Sequence, residues 1–365
     1  MSVQRALHRT VHISSSLDAF SDIWPRANEL TNASFHAFQA REVLDNWLAT
    51  IGAARRVAPL FIRICGEDGA PLMLLPLGIE RRRGARVLTF LDGGVSDYNA
   101  PILFPRGAAL GEAMFQQTWR QVRAALPQID AVAFDKMPDE IHGASNPLRF
   151  LATETSAVSG HRLALDGAWE DFERATLHRA KDSRRKRRRL ADAGDVRFIV
   201  ASDFMTAQKI LAAMMQFKTR RYLERDGVDG FERPGYRSYF SSMTAEREAA
   251  GLAHLSALEV GGQILAAHWG LVAQGRFYCL MLGHESTGLG QYSPGRLLVE
   301  DLIRWSFGRS LLAFDFGAGD APWKALLGAR AFPLRRYDSA NTPLGWIYLN
   351  AKRAHGELSR VDKRK

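Results

Sequence analysis

Four groups of residues have types and spacings that could do chemistry. His268 lies in the apolar run Gln263–Val272, among Ala266, Ala267, Trp269 and Gly270. Imidazole titrates near neutral pH and can take a proton from an attacking amine, which makes His268 a candidate general base. A histidine bonded to a neighbour inside an apolar strand fits the same pattern. Gln291-Tyr292-Ser293-Pro294-Gly295-Arg296 opens a helical pattern directly after a strand pattern. Proline near a helix start and glycine in its first turn leave backbone N–H groups accessible, as a phosphate requires. Ser293, Gly295 and Arg296 are the candidate contacts, although Ser293 equally suits an ordinary N-cap. Leu311–Phe316 then ends in Asp315-Phe316-Gly317-Ala318-Gly319-Asp320, followed by Pro322-Trp323-Lys324. Two acids and a lysine at a glycine-rich strand end suit a site, because glycines let a ligand approach the backbone; a surface turn is the plainer reading. In the first half, Asp97, Tyr98 and Asn99 close a second glycine-rich strand end. They could hold a polar or amine-bearing acceptor, or form a structural turn.

The elements that must position these residues occur twice. Leu60–Cys65, Pro71–Ile79 and Val87–Leu91 read as strands joined by the turn clusters Gly66–Gly69 and Arg81–Gly84. A helical pattern over about 109–125 follows, with Met114, Trp119 and Val122 near helical spacing, then a buried strand at Ala131–Phe134. In the second half the strands are Ala253–Val260, Gln263–Val272 and Arg276–Leu282, with turns at Gly261-Gly262 and Gln274-Gly275. A helix at Gly295–Phe307 and the strand Leu311–Phe316 complete the set. Between the copies come a helical, basic region over about 170–193, a strand at Val196–Val200 and a helix at Phe204–Tyr222. The expected fold is α/β (α+β): two tandem lobes, each a mostly antiparallel mixed sheet flanked by helices. The expected division is 1–165 and 166–365.

Composition narrows the class. The 365 residues are 46% hydrophobic and 24% charged, which excludes wholesale disorder. Cys65 and Cys279 lie far apart in apolar runs, which argues against a disulfide framework or a cysteine zinc site, so no metal is expected. No run approaches the ~18–20 apolar residues of a membrane span, and the reading is a cytoplasmic protein, or one peripheral on the cytoplasmic membrane face. The net charge of +10 is concentrated. Arg179–Arg189 carries +7 (eight Lys/Arg, one Asp) and Lys352–Lys365 carries +4 (six Lys/Arg, two acids), leaving −1 for the rest. Arg184–Arg189 is six consecutive basic residues, which favours an anionic partner. Without interleaved aromatics or a base-reading element, specific nucleic-acid recognition is not expected, and an anionic membrane surface suits the run and the tail.

With these residues in view, the chain resembles the GNAT-type acyltransferases of the CelD/BcsL, or cellulose-biosynthesis acetyltransferase, family, relatives of the Fem-type aminoacyltransferases; a bacterial ceramide synthase-like member fits too. The likeness runs through Pro71–Leu103, the basic SRRKRRRLADAG segment, KTRRY at Lys218–Tyr222, YSPGRLL and DFGAGDAPWK. It implies two GNAT-like lobes, an acyl-CoA co-substrate held near Gly295 by the second lobe, and an acceptor taken on the side of the first. The implied reaction is N-acyl transfer to an amine, either a lipid amine such as a sphingoid base or an envelope amino sugar. His268 or Asp315 would be the base, Asp320 and Lys324 would position it, and Asp97, Tyr98, Asn99 and Arg221 would contact the acceptor. Fem-like transfer from aminoacyl-tRNA and a non-catalytic, membrane-binding adaptor are the alternatives. The chain departs from the usual pattern in two places: Gln291 and Gly295 are four apart, where the GNAT coenzyme signature has three, and Trp323-Lys324 replaces a Tyr-Lys pair.

Overall fold

The computed structural model describes residues 9–176, 180–246 and 251–362. In chain order the elements used below are β1 (Thr10–Ser14), β2 (Ala58–Cys65), β3 (Pro71–Arg82), β4 (Ala85–Phe90), α1 (Glu112–Ala125) and β5 (Ala131–Pro138). Next are β6 (Glu154–Thr155), β7 (Gly160–Ala164), α2 (Trp169–Thr176), α3 (Ala180–Ala191), β8 (Val196–Val200), α4 (Phe204–Asp226) and α5 (Tyr236–Ala245). The remainder are β9 (Ala253–Val260), β10 (Gln263–Ala273), β11 (Arg276–His284), α6 (Pro294–Gly308), β12 (Ala313–Ala318), β13 (Arg330–Phe332), β14 (Leu334–Ala340) and α7 (Pro343–Asp362).

The expected duplication is present. One sheet runs β1-β2-β3-β4-β5-β14-β6, with the short strand Ile102–Leu103 off its path; the other runs β8-β9-β10-β11-β12-β7-β13. In each, three consecutive antiparallel strands lead through a helix to a fourth strand parallel to the third: β4 with β5, and β11 with β12. The hairpin turns follow from local chemistry. Arg83-Gly84, Gly261-Gly262 and Gln274-Gly275 each place two consecutive residues at positive φ, the twist that joins right-twisted strands through a two-residue loop. Helix α4 starts where Asp203 accepts the Thr206 N–H at 2.8 Å and ends at Gly227 (φ 71°). It extends one turn beyond the expected end at Tyr222, because nothing before Gly227 interrupts it.

The chain divides into two compact units, residues up to 158 together with those from 333, and residues 159–332. This differs from the division at 165/166, and strand pairing is the reason. Segment 154–164 gives β6 to the first sheet and β7 to the second, where β7 pairs with β12 and β13. Segment 330–340 gives β13 to the second sheet and β14 to the first, where β14 pairs with β5 and β6. The first sheet is thus completed by β14, which lies in sequence beyond the whole second repeat, whereas the second unit is one continuous segment. Ile62, Leu75, Leu88, Val122, Val132 and Phe134 are buried in the first unit's core, and Leu265, Phe277, Leu298, Leu302 and Phe314 in the second's. Among the described residues, no helix is long and apolar enough to cross a membrane.

Candidate active site

Strands β11 and β12 pair only at Arg276↔Ala313, Phe277↔Phe314 and Tyr278↔Asp315. Past this point β11 runs six residues further, to His284, with no partner on the β12 side. The sheet therefore opens between two parallel strands, and the chain leaving β11 returns as α6. Helix α6 begins with Pro294, after Ser293 in the left-handed region (φ 57°). A Cβ on Gly295 would lie 2.6 Å from the His284 ring, so only glycine lets the helix start rest on the end of β11.

Basic residues surround this helix start. The Ser293 hydroxyl makes no capping bond to the helix; it accepts from Lys186 Nζ at 2.9 Å. Arg296 donates through Nε to Glu300 Oε1 at 2.8 Å, while its Nη2 is buried with no hydrogen-bond partner among the described residues. Glu300 also accepts from Ser183 at 2.8 Å, and Arg187 donates to Asp301 at 2.6 Å and to the Leu297 carbonyl at 3.1 Å. Ser183, Lys186, Arg187 and the buried Leu190 form one stripe of α3, spaced as neighbours on a helix face. The six-residue basic run thus divides: Lys186 and Arg187 are held against α6, and Arg184, Arg185, Arg188 and Arg189 face solvent. Sequence alone gives Lys186 no role distinct from its neighbours, although the i, i+3, i+4, i+7 spacing from Ser183 to Leu190 is a readable signal. The side chains of the basic tail past residue 354 lie outside the described residues.

The predicted residues at the end of β12 do come together. Asp315 is buried and its Oδ1 accepts the Gly317 N–H at 2.8 Å. Lys324, also buried, donates to the Gly317 and Ala318 carbonyls at 3.1 and 3.3 Å, which folds the loop back onto the strand. Asp320 is half exposed and accepts from the Ser159 N–H at 3.2 Å; His161 Nε2 lies 3.1 Å from its Oδ1. Partial burial pushes the Asp320 carboxyl up, but the hydrogen bonds from His161 and Ser159 outweigh it and hold the group below the usual carboxylate range. The buried Nδ1 of His161 has no hydrogen-bond partner among the described residues. His161 was not singled out from sequence, because it lies 159 positions from Asp320.

Other predicted residues stand apart. His268 is fully buried in β10, its ring 5.3 Å from Phe277 and 6.0 Å from His254. Neither ring nitrogen has a hydrogen-bond partner among the described residues, and burial, with His254 nearby, holds its pKa well below the ordinary value. This burial leaves the His268 ring without a path to solvent in the structure, and it does not favour the expected role as a base, because a proton acceptor must reach its substrate. Tyr98 and Asn99 belong to the first unit and are buried. The Tyr98 carbonyl accepts from Gln39 at 2.9 Å, and Asn99 donates to Asp92 at 3.0 Å and the Asp135 carbonyl at 2.9 Å. Asp92 in turn pairs with Lys136 at 2.8 Å. This network ties the ends of β4 and β5 together through Asn99, with Tyr98 packed beside it; Asp97 beside them is half-buried. Arg221 is exposed on α4 and lines a pocket of about 200 Å³ with Gly283 and His284 of β11.

Residues 178–325 match the acetyltransferase (GNAT) domain family. The match contains the opening between β11 and β12 and the start of α6. No curated protein matches the chain. Among solved structures, FemX has 12% identity and a TM-score of 0.60, over 93% of this chain and 99% of FemX. A conserved protein of unknown function from Bacteroides thetaiotaomicron aligns at 11% identity and TM-score 0.54, over 91% of this chain and 99% of that one. The C-terminal domain of a putative lysylphosphatidylglycerol synthetase from Agrobacterium fabrum aligns at 13% and 0.51, over 86% and 90%. These likenesses establish the fold.

Proposed function

We propose that this protein is an N-acyltransferase that moves an acyl group from acyl-CoA to a primary amine. The observation that carries the proposal is the α6 start, with Lys186, Ser293 and the buried, unpartnered Arg296 Nη2 gathered at the opening between β11 and β12. The first turn of a helix offers unsatisfied N–H groups and the positive end of the dipole, which suit the pyrophosphate of a coenzyme. The unpaired edge of β11 gives an extended thioester arm a strand to lie along. In the reaction the amine attacks the thioester carbonyl, the C–N bond forms, and the C–S bond breaks to release the CoA thiol. The ammonium must first lose a proton. Asp320 with His161 is the acceptor we assign, since it combines solvent access with a hydrogen-bonded partner two residues past the strand that walls the opening. Asp315 and Lys324 hold the loop that carries it.

The acceptor proposed is a lipid amine, such as a sphingoid base, with an envelope amino sugar as the second class; the resemblance to the cellulose-biosynthesis acetyltransferases supports either. The exposed arginines of α3 would bring the protein to an anionic membrane surface at about 1 kcal/mol per residue. The same arginine face favours a second reading, an aminoacyl-tRNA donor, because it would suit an extended polyanion. Donor binding separates the two. Thermal unfolding with acyl-CoA should show stabilisation that Lys186→Met or Arg296→Met reduces. Stabilisation by aminoacyl-tRNA and none by any acyl-CoA would decide for the second reading.

A further inference from the structure

Away from the α6 start, α4 presents a group of cations whose charge is unbalanced. A Cβ on Gly283 would lie 2.8 Å from Phe217 Cβ and 2.9 Å from the Met214 carbonyl, so glycine lets α4 lie directly on β11. At this crossing the pocket of about 200 Å³ is lined by Lys218, Arg220, Arg221, Glu224 and His284, among others. Its volume is on the order of seven water molecules, room for one solvated oxyanion but not for a nucleotide. Arg220 is committed to Glu285 at 3.0 Å. Nearby, Arg225 pairs with Asp226, and Arg233 donates to the Gly230 carbonyl at 2.8 Å while stacking on Tyr236. Lys218 and Arg221 differ: among the described residues neither has an acid within 4 Å, and Lys218 Nζ makes only a contact 5.0 Å above the Tyr222 ring. Glu224 lines the pocket at its exposed side and forms no ion pair with either.

We propose that Lys218 and Arg221 form an oxyanion subsite, separate from the α6 start, that binds a phosphate or carboxylate group of a substrate. A half-buried ammonium among arginines is a costly arrangement that an anion relieves, and paired cations bind oxyanions through charge-assisted hydrogen bonds. Consistent with this, burial and then Arg221, Arg225 and Arg233 push the Lys218 ammonium down to about 8. His284, which lines this pocket, is also the residue on which Gly295 rests, so the subsite neighbours the proposed donor site without sharing α6 residues with it. The identity of the anion rests on the acyl-transfer reading; the subsite itself does not.

The test is a titration of the full-length protein with its lysines ¹³C-dimethylated, the Lys218 signal being assigned by its absence in Lys218→Arg. Inorganic phosphate should raise the Lys218 titration midpoint from about 8 toward the ordinary lysine value. Arg221→Met should weaken that response about tenfold or more, with Arg221→Lys largely restoring it and Lys186→Met leaving it unchanged. A midpoint indifferent to phosphate, or a response unaltered in Arg221→Met, would overturn the subsite. Adding CoA then assigns the source. If CoA displaces phosphate at Lys218, the anion is a donor phosphate. If both bind together, the subsite serves an acceptor whose amine is accompanied by a phosphate or carboxylate. Should CoA not bind at all, the acyl-transfer reading fails, while the Lys218 titration still decides the subsite.

Discussion

At the level of single residues, burial separates His268 from Asp320. His268 and Asp320 look equally reactive as letters. One is sealed in a core with neither ring nitrogen bonded among the described residues, and the other is half exposed and bonded by a histidine 159 positions away. Burial and long-range pairing depend on the whole fold, so neither could be read locally. The buried His268 has a consequence for stability. Its folded pKa lies well below the ordinary value, so above about pH 6.5 it is neutral in both states and costs nothing through ionisation. As the pH falls below about 6.5, the unfolded chain takes up a proton that the folded chain refuses, and stability is lost by up to about 1.4 kcal/mol per pH unit until the folded pKa is reached. Urea unfolding at pH 7.5 and 5.5 should show a smaller loss for His268→Leu than for the parent. An equal loss would show that His268 is not the group responsible.

At the scale of elements, the repeated order of hairpins, helix and strand was legible because each turn carries its own chemistry, as at Gly261-Gly262. The repeats differ at the position proposed for the donor. In the second unit, α6 starts beside Lys186 and Arg296 at an open strand pair. In the first, α1 starts with Gly111 followed by the acidic Glu112, and Asp92 and Lys136 bridge the ends of β4 and β5. An acid in the first turn complements the helix dipole and repels a phosphate. Calorimetric titration with acyl-CoA should therefore give one site per chain, and two equivalent sites would refute this asymmetry. Within α6, Gly295→Val should weaken acyl-CoA binding by tenfold or more, because the side chain must displace either His284 or the helix start; binding unchanged by the substitution would show that the donor lies elsewhere.

At the scale of the molecule, the lobe boundary was the part least legible. No strand is read from sequence in segments 154–164 and 330–340, and only their pairing shows that each serves both sheets. Pairing across more than 150 positions leaves no local trace. The return of residues from 333 to the first unit predicts how the chain can be cut. A fragment of residues 159–332 keeps every strand of its sheet and should be soluble and unfold cooperatively. A fragment of residues 166–365 loses β7 and retains β14 and α7, whose Leu334, Tyr348 and Leu349 are buried against the first unit's sheet, and it should aggregate. Equal behaviour of the two fragments, judged by soluble yield and thermal unfolding, would contradict this division. The net charge of +10 likewise resolves into an exposed arginine face on α3, a tail, and two basic residues spent on α6.

Acyl transfer from a CoA thioester at the α6 start, as proposed, would release a free thiol. Free CoA should appear only when an acyl-CoA and a primary amine are both supplied, across a panel of acyl lengths and amine classes, and its rate should fall at least tenfold in Lys186→Met and in Asp320→Asn. No thiol release with any pair, or release undiminished in both variants, would rule out acyl transfer at this site.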